Sequence, residues 1–176
     1  MSSAHPPSAL WLYIELPRIA VEVLLSSAQR GLAAVAVSGA QSPRIRACSA
    51  AAEQLGAAVG QSLSSALSLA ADLLSLTHCN DHCSARLTAL AHACYRFSPE
   101  LYLDDERGIW LEISASRQLY RGYPTLLEQL DAALRDVTAS VDGHPLSVRG
   151  ALAATPLAAQ LCARQQPLGE SLAVAE

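Results

Sequence analysis

The chain has 176 residues, of which 51% are hydrophobic, and this is enough for one domain, or for two small interleaved ones, with a buried core. All 12 basic residues are arginines and the net charge is −4, so the basic excess typical of a free-standing nucleic-acid binder is missing. With five cysteines, no signal sequence in residues 1–8 and no apolar run long enough to span a membrane, the sequence predicts a soluble, cytoplasmic protein.

The first half of the chain predicts short strands and helices in alternation. Apolar runs bounded by Pro or Gly predict the strands, and apolar residues at spacings of three and four predict the helices. The predicted elements are a strand at 10–16, a helix at 19–30, a hairpin of 32–37 and 44–48, helices at 49–55 and 62–69, and a strand at 73–76.

The second half begins with a long predicted helix that ends before Ser98-Pro99. Its predicted elements are a helix at 81–97, a hairpin of 101–103 and 109–113, a helix at 123–137, a turn at 142–143, a strand at 147–152 and a helix capped by Thr155 that ends near 164. This order predicts an α/β (α+β) fold with helices around a mixed sheet, followed by a flexible tail at 165–176.

Four segments, in the correct order, resemble the Y-family of translesion DNA polymerases and, within it, the ImuB-like branch found in bacterial mutagenesis operons. The segments are 10–18 with Val21-Glu22, 47–56 with Gly60, 97–99 with 108–114 and 119–122, and 154–164. The Trp-Leu start and the Pro-Arg turn of the first segment are its most specific features.

The resemblance implies a ferredoxin-like palm with a mixed sheet and helices, formed by 1–18 and 76–164, and a small helical/β fingers subdomain at 19–75. Active family members continue into a thumb and a little finger. The resemblance therefore implies that this chain is the N-terminal palm and fingers portion, either as a fragment or as a short homologue.

Active relatives hold two Mg²⁺ ions with three acidic side chains. By resemblance, the first acidic position falls on Tyr13 and the other two on Arg107 and Gly108. In the fingers segment, the Arg that grips the triphosphate falls on Glu53 and a nearby Tyr on Ala50. The resemblance thus implies a catalytically inactive homologue without catalytic residues or cofactor.

The implied function is that of a scaffold or accessory factor in DNA-damage-induced translesion synthesis, within the UmuC-domain proteins of SOS mutagenesis and DNA repair. The partners implied by the resemblance are a RecA-like accessory protein, a replicative-type polymerase and the sliding clamp. The acidic net charge predicts weak or no DNA binding by this chain alone.

One alternative is a diverged, active nucleotidyltransferase that binds Mg²⁺ through Glu15 with Asp104 or Asp105. Against it, an acidic run in a hairpin turn is more typical of solvated surface, because turns favour Asp for local reasons.

A second alternative is a small zinc-stabilised module. The potential ligands lie between residues 78 and 94 and are His78, Cys79, His82, Cys83, His92 and Cys94. On a helix, His78 and His82, and Cys79 and Cys83, would share a face. Because no C-x₂-C pair is present, buried thiols and surface imidazoles are the simpler interpretation, and no metal is predicted.

Overall fold

The computed structural model describes residues 9–104, 107–139, 145–169 and 172, and the backbone of 174–175. Asp105, Glu106 and the turn predicted at 142–143 lie outside the described residues.

The chain divides into two compact units, one of residues 1–16 with 86–176 and one of residues 17–85. The palm-like and fingers-like boundaries given above stay a prediction. Across the described ranges, no helix combines the length and apolar character that crossing a membrane requires.

The secondary structure of the described residues alternates between strands and helices. The strands are β1 (Trp11–Glu15), β2 (Ala34–Ser38), β3 (Arg44–Cys48), β4 (Leu74–Thr77), β5 (Leu101–Asp104), β6 (Gly108–Glu112), β7 (Arg149–Ala153) and β8 (Val174–Ala175). The helices are α1 (Ile19–Glu22), α2 (Ala50–Gln54), α3 (Leu63–Leu69), α4 (Asn80–Cys94), α5 (Tyr123–Thr138) and α6 (Pro156–Ala163), with 3₁₀ turns at Ser27–Gln29 and Ala115–Arg117.

The unit of residues 1–16 and 86–176 is built on a five-stranded sheet with strand order β5-β6-β1-β7-β8. The central strand β1 is antiparallel to β6 and β7, and β8 is parallel to β7. Alternation along β1 directs Leu12 and Ile14 to one face and Tyr13 and Glu15 to the other. All four side chains are fully buried, so a carboxylate is held in the middle of the sheet without access to water.

Helix α6 covers the face of the sheet that carries Tyr13. The small side chains Ala159 and Ala163 are fully buried against Tyr13 and Ala151, so the helix can approach the strands closely. Thr155 begins the helix, since its hydroxyl accepts a hydrogen bond from Ala158 N at 3.3 Å. Helix α6 therefore packs over the face of the sheet on which Glu15 lies.

The unit of residues 17–85 contains a three-stranded sheet with order β3-β2-β4, in which β2 is antiparallel to β3 and parallel to β4. One face of β2 buries Val35 and Val37, and the other buries Ala34 and Ala36. The Ser49 hydroxyl caps α2 by accepting from Ala52 N at 3.2 Å and also accepts from Ala34 N at 3.0 Å. The start of α2 is therefore attached directly to β2.

The predicted α/β (α+β) fold class is confirmed, but the helix predicted at 19–30 is wrong after Glu22, over two thirds of its length. Helix α1 ends at Glu22, and Ser26 begins a separate 3₁₀ turn. The Gln29 side chain accepts hydrogen bonds from Ser26 N at 3.1 Å and from the Ser26 hydroxyl at 3.0 Å. Such local serine bonds compete with helical backbone bonds, which explains the break.

The segment 165–176, predicted as a flexible tail, contains residues that pair with the rest of the sheet. Gly169 N donates to Val148 O at 3.1 Å, and Val148 N donates to Gly169 O at 2.9 Å. Strand β8 then pairs with Gly150 and Ala151 of β7. The described part of this segment thus extends the sheet beyond β7.

Candidate functional site

The strand register brings together the three positions at which the resemblance places carboxylates. Glu15 of β1 lies opposite Gly108 of β6 and opposite Arg149 of β7. The ladder continues one step further, because Leu16 N donates to Arg107 O at 2.7 Å. Tyr13, Arg107 and Gly108 therefore converge beside Glu15 on one side of the sheet.

Glu15 is enclosed by guanidinium groups. Its side chain is fully buried, and its Oε2 accepts a hydrogen bond from Arg149 Nε at 2.5 Å. Its Oε1 lies 3.1 Å from Arg107 Nε and 3.7 Å from Arg164 Nε. Oε1 accepts no hydrogen bond within the described residues, so its interaction with these two arginines is an attraction between charges at short range.

Arg149 also connects β7 to α6. Its Nη1 donates to the carbonyl of Arg164 at 3.1 Å, where the helix ends. A guanidinium at a helix C-terminus is favourable because the last carbonyl groups carry partial negative charge. The side chain of Arg149 on β7 therefore links the Glu15 carboxylate on β1 to the C-terminal end of helix α6.

This arrangement is the electrostatic opposite of a divalent-metal site. Mg²⁺ needs carboxylate oxygens at about 2.0–2.1 Å, whereas the Glu15 oxygens already face three positive side chains. A cation placed between them would be repelled by each guanidinium. The chemistry that the cluster supports is the neutralisation of a buried negative charge.

Asp104 forms a second polar contact on the same side of the sheet. Its Oδ2 accepts a hydrogen bond from Tyr13 Oη at 2.6 Å and one from Gln160 Nε2 at 3.2 Å. Burial raises the pKa of the Tyr13 phenol, and its hydrogen bond to the Asp104 carboxylate raises it further. Tyr13 therefore stays protonated and acts as a hydrogen-bond donor.

Tyr13 occupies the space in which a side chain at position 108 would begin. A Cβ built on Gly108 would lie 2.6 Å from Tyr13 Cζ and 2.7 Å from the carbonyl oxygen of Ile14. Both distances are too short for nonbonded contacts, so a glycine is required at position 108, which lies opposite Glu15 and diagonal to Tyr13. The residues at positions 13 and 108 are thus structurally coupled.

Ala50 and Glu53, the positions at which the resemblance implies nucleotide contacts, lie in the unit of residues 17–85. Ala50 is exposed at the first turn of α2 and offers only a methyl group. Glu53 Oε2 accepts a hydrogen bond from Arg18 Nη2 at 2.5 Å. Because Glu53 is negative and its charge is used in this pair, the position does not attract a triphosphate.

The start of α4 divides the residues of the His/Cys cluster into a group before the helix and a group on it. His78 and Cys79 precede the helix, His82 is exposed on it, and Cys83 is buried. Burial raises the pKa of the Cys83 thiol, and Cys79 raises it further; burial also raises the pKa of the Cys94 thiol to about 12. Protonated thiols are poor zinc ligands.

No group of three or more His, Cys, Asp and Glu side chains in the described ranges is arranged to hold a metal ion. Asp105, which the nucleotidyltransferase alternative uses, lies outside those ranges. Asp104 is described, and its contacts to Tyr13 and Gln160 are those given above.

Sequence reasoning did not find Arg149 or Gln160 as members of this site, nor Arg18 as the partner of Glu53. Arg149 is separated from Glu15 by 134 positions, and only the register of β7 against β1 brings them together. A buried acidic residue in an apolar strand is a signal that a cationic partner must exist, but it does not indicate which one.

Comparison with known proteins gives a relative in sequence and several in structure, whereas no model of a protein family matches the chain. Protein ImuB from two strains of Caulobacter vibrioides is 31% identical over 121 residues, which are 69% of this chain and 24% of ImuB. The chain is similar to ImuB. The predicted resemblance to ImuB-like proteins is therefore confirmed, over about a quarter of the length of these relatives.

The structural comparison shows the fold. DinB from Sulfolobus solfataricus superimposes with a TM-score of 0.78 at 12% identity, over 94% of this chain and 48% of that chain. The insertion ternary complex of Dbh DNA polymerase gives 0.76 at 12% identity, over 95% and 48%. A Y-family DNA polymerase chimera of Dbh and Dpo4 gives 0.75 at 12% identity, over 94% and 48%. The predicted ferredoxin-like palm with a fingers subdomain is confirmed as the fold.

The Glu15→Gln variant tests the role of the buried carboxylate. Removing its charge leaves Arg149 without a buried counter-ion, and we expect the free energy of unfolding to fall by about 3 kcal/mol. The loss is not larger because Arg107 and Arg164 stay partly solvated and interact less strongly with Glu15. Urea unfolding measures this, with Glu128→Gln on the exposed side of α5 as a control that should change stability by less than about 0.5 kcal/mol. Equal stability of the two variants would contradict the assignment.

The Gly108→Ala variant tests the coupling to Tyr13. The added methyl group meets the tyrosine ring and the Ile14 carbonyl, so we expect a loss of about 1–3 kcal/mol in unfolding free energy. In a Tyr13→Ala background the same change should cost less, because the ring is gone. Strictly additive losses in the double variant would show that the two positions are independent.

Thiol reactivity tests the interpretation of the cysteines. Cys162 is exposed, whereas Cys48 and Cys94 are buried with thiol pKa values raised by burial to about 11 and about 12. We expect a disulfide reagent at pH 8 to modify Cys162 more than about tenfold faster than these two thiols. Cys162→Ser should remove the fast phase, and metal analysis that found one zinc per chain would favour the zinc-module alternative instead.

Proposed function

We propose that this chain acts as a non-catalytic scaffold or accessory factor in DNA-damage-induced translesion synthesis. The observation that carries the proposal is the enclosure of Glu15 by Arg107, Arg149 and Arg164 at the end of the central strand, beside the positions at which the resemblance implies metal-binding carboxylates. The similarity to ImuB supports the link to polymerases that act on damaged DNA.

The physical reasoning starts from the reaction. Nucleotidyl transfer with two metal ions requires negative side chains that hold both cations against the reacting oxygens. In their place the chain has a tyrosine, an arginine and a glycine, and the nearest buried carboxylate is already compensated by positive charge. With Glu53 at the triphosphate position, both the metal ions and the nucleotide lack their binding groups.

The partners we propose are a RecA-like accessory protein, a replicative-type polymerase and the sliding clamp. They come from the resemblance to ImuB-like proteins, of whose length this chain matches 24%. The net charge of −4 supports weak or no DNA binding by this chain alone. Its contribution would then be a folded platform for protein contacts, in the cytoplasm.

A divalent-metal titration tests the loss of catalysis. We expect no Mn²⁺ binding by the chain at micromolar concentration in electron paramagnetic resonance, because three guanidinium groups surround the buried carboxylate. Replacing two of the degenerate positions, as Tyr13→Asp with Arg107→Asp, should create a measurable Mn²⁺ site, because the change adds two carboxylates, removes one guanidinium and leaves Gly108 in place. Circular dichroism checks that this variant is folded.

The matched control carries Arg117→Asp and Gln118→Glu, which add two carboxylates at exposed positions and should leave Mn²⁺ binding absent. Primer extension by the unmodified chain with Mg²⁺ or Mn²⁺ should give no incorporation. Template-dependent incorporation that is lost in a folded Asp104→Asn variant would instead establish the nucleotidyltransferase alternative.

A further inference from the structure

Among the described residues, the outer edge of β5 has no paired strand. Strand β5 is the first strand of the five-stranded sheet and is paired on one side with β6. Glu112 N donates to Glu100 O at 3.0 Å, so residues 100, 102 and 104 direct their backbone groups toward β6. In an antiparallel ladder, the N–H and C=O groups of Leu101 and Leu103 then point to the opposite edge. No strand of the described residues pairs with that edge.

An apolar depression lies beside this edge on the face of the sheet that carries Tyr102. Its volume is about 320 Å³, and it is lined by Trp11, Tyr102, Trp110 and Pro156. The rings of Trp11 and Tyr102 lie 5.9 Å apart between centroids, and Tyr102 is 53% exposed. An exposed aromatic ring on an unpaired edge strand is a feature of sites that accept an extended peptide.

The charges at the two ends of β5 determine which peptide fits. Glu100 is exposed at the start of the strand and Asp104 is half-buried at its end, and both lie on the same face as Tyr102. The Tyr102 hydroxyl donates to Glu100 Oε1 at 3.4 Å, so the aromatic ring and the carboxylate are neighbours. A strand added antiparallel to this edge would place its alternate side chains opposite Asp104, Tyr102 and Glu100.

A second copy of this chain is disfavoured as the occupant. Antiparallel pairing of two β5 strands about Tyr102 would set Glu100 of each copy opposite Asp104 of the other. Like charges directly opposite one another destabilise a strand pair. A strand with basic residues at the same two positions would instead gain from both contacts.

We propose that the β5 edge is a docking site for an extended, basic segment of a partner protein, with an apolar side chain against the exposed ring of Tyr102 and Arg or Lys opposite Glu100 and Asp104. The inference goes beyond the proposed function, since such a segment could bind whether or not the chain makes DNA. Failure of this proposal would therefore leave the metal titration described above unaffected.

The probe is a fluorescein-labelled peptide, Arg-Val-Leu-Val-Arg, blocked at both ends. Paired antiparallel with residues 100–104, its leucine faces Tyr102, its arginines face the two acids, and its valines bond to Leu101 and Leu103. We expect saturable binding in fluorescence anisotropy. The charge-reversed peptide Glu-Val-Leu-Val-Glu and a peptide methylated at both valine nitrogens should each bind at least about tenfold more weakly.

Variants of the chain test the same contacts from the other side. Glu100→Arg, Tyr102→Ala and Leu103→Pro should each weaken binding by at least about tenfold, and proline at an outward-facing position of an edge strand is compatible with the sheet. Tyr95→Ala is the matched control, because Tyr95 is 64% exposed and does not line the depression. Melting temperatures show which variants stay folded.

The outcomes separate the possibilities. Binding that depends on peptide charge, on its free N–H groups and on the three edge residues supports the proposal. Absence of binding overturns it, as does binding that is equal for both peptide charges or unchanged in a folded Glu100→Arg variant. Self-association through the same edge, seen in sedimentation velocity and removed by Leu103→Pro, would overturn it in favour of a second copy.

Discussion

A carboxylate without access to water is the constraint on which the larger unit depends. Glu15 lies in the central strand, where its desolvation would cost several kcal/mol if its charge were not compensated. Compensation comes from Arg107, Arg149 and Arg164, which belong to three separate segments of the chain. The ion cluster therefore joins the residue before β6, strand β7 and the end of α6 to β1.

The two units each show a reversal of charge relative to the pattern that the resemblance implies. In the larger unit, an arginine stands where a metal-binding carboxylate is expected, and it faces Glu15. In the unit of residues 17–85, a glutamate stands where a phosphate-binding arginine is expected, and it pairs with Arg18. In both places the side chain has a partner of opposite charge within its own unit.

Much of the fold could be predicted from sequence, because the signals are local. The hairpin partner 44–48 coincides with β3, and the caps Ser49, Ser62 and Thr155 begin helices α2, α3 and α6. The β1–β6 register sets Tyr13 opposite Trp110 and Glu15 opposite Gly108, so Tyr13 meets Gly108 diagonally across the two strands. Arg149 and Arg18 could not be assigned in this way, because their partners are chosen by tertiary pairing and not by spacing along the chain.

The contact between Tyr13 and Gly108 limits which residues position 108 can accept. Any side chain larger than hydrogen at position 108 meets both the tyrosine ring and the main-chain oxygen of Ile14. Shortening the tyrosine removes only the first of these contacts, and it also removes the hydrogen bond to Asp104. An acidic side chain at position 108 therefore requires a shift of the β1 backbone as well as a smaller residue at position 13.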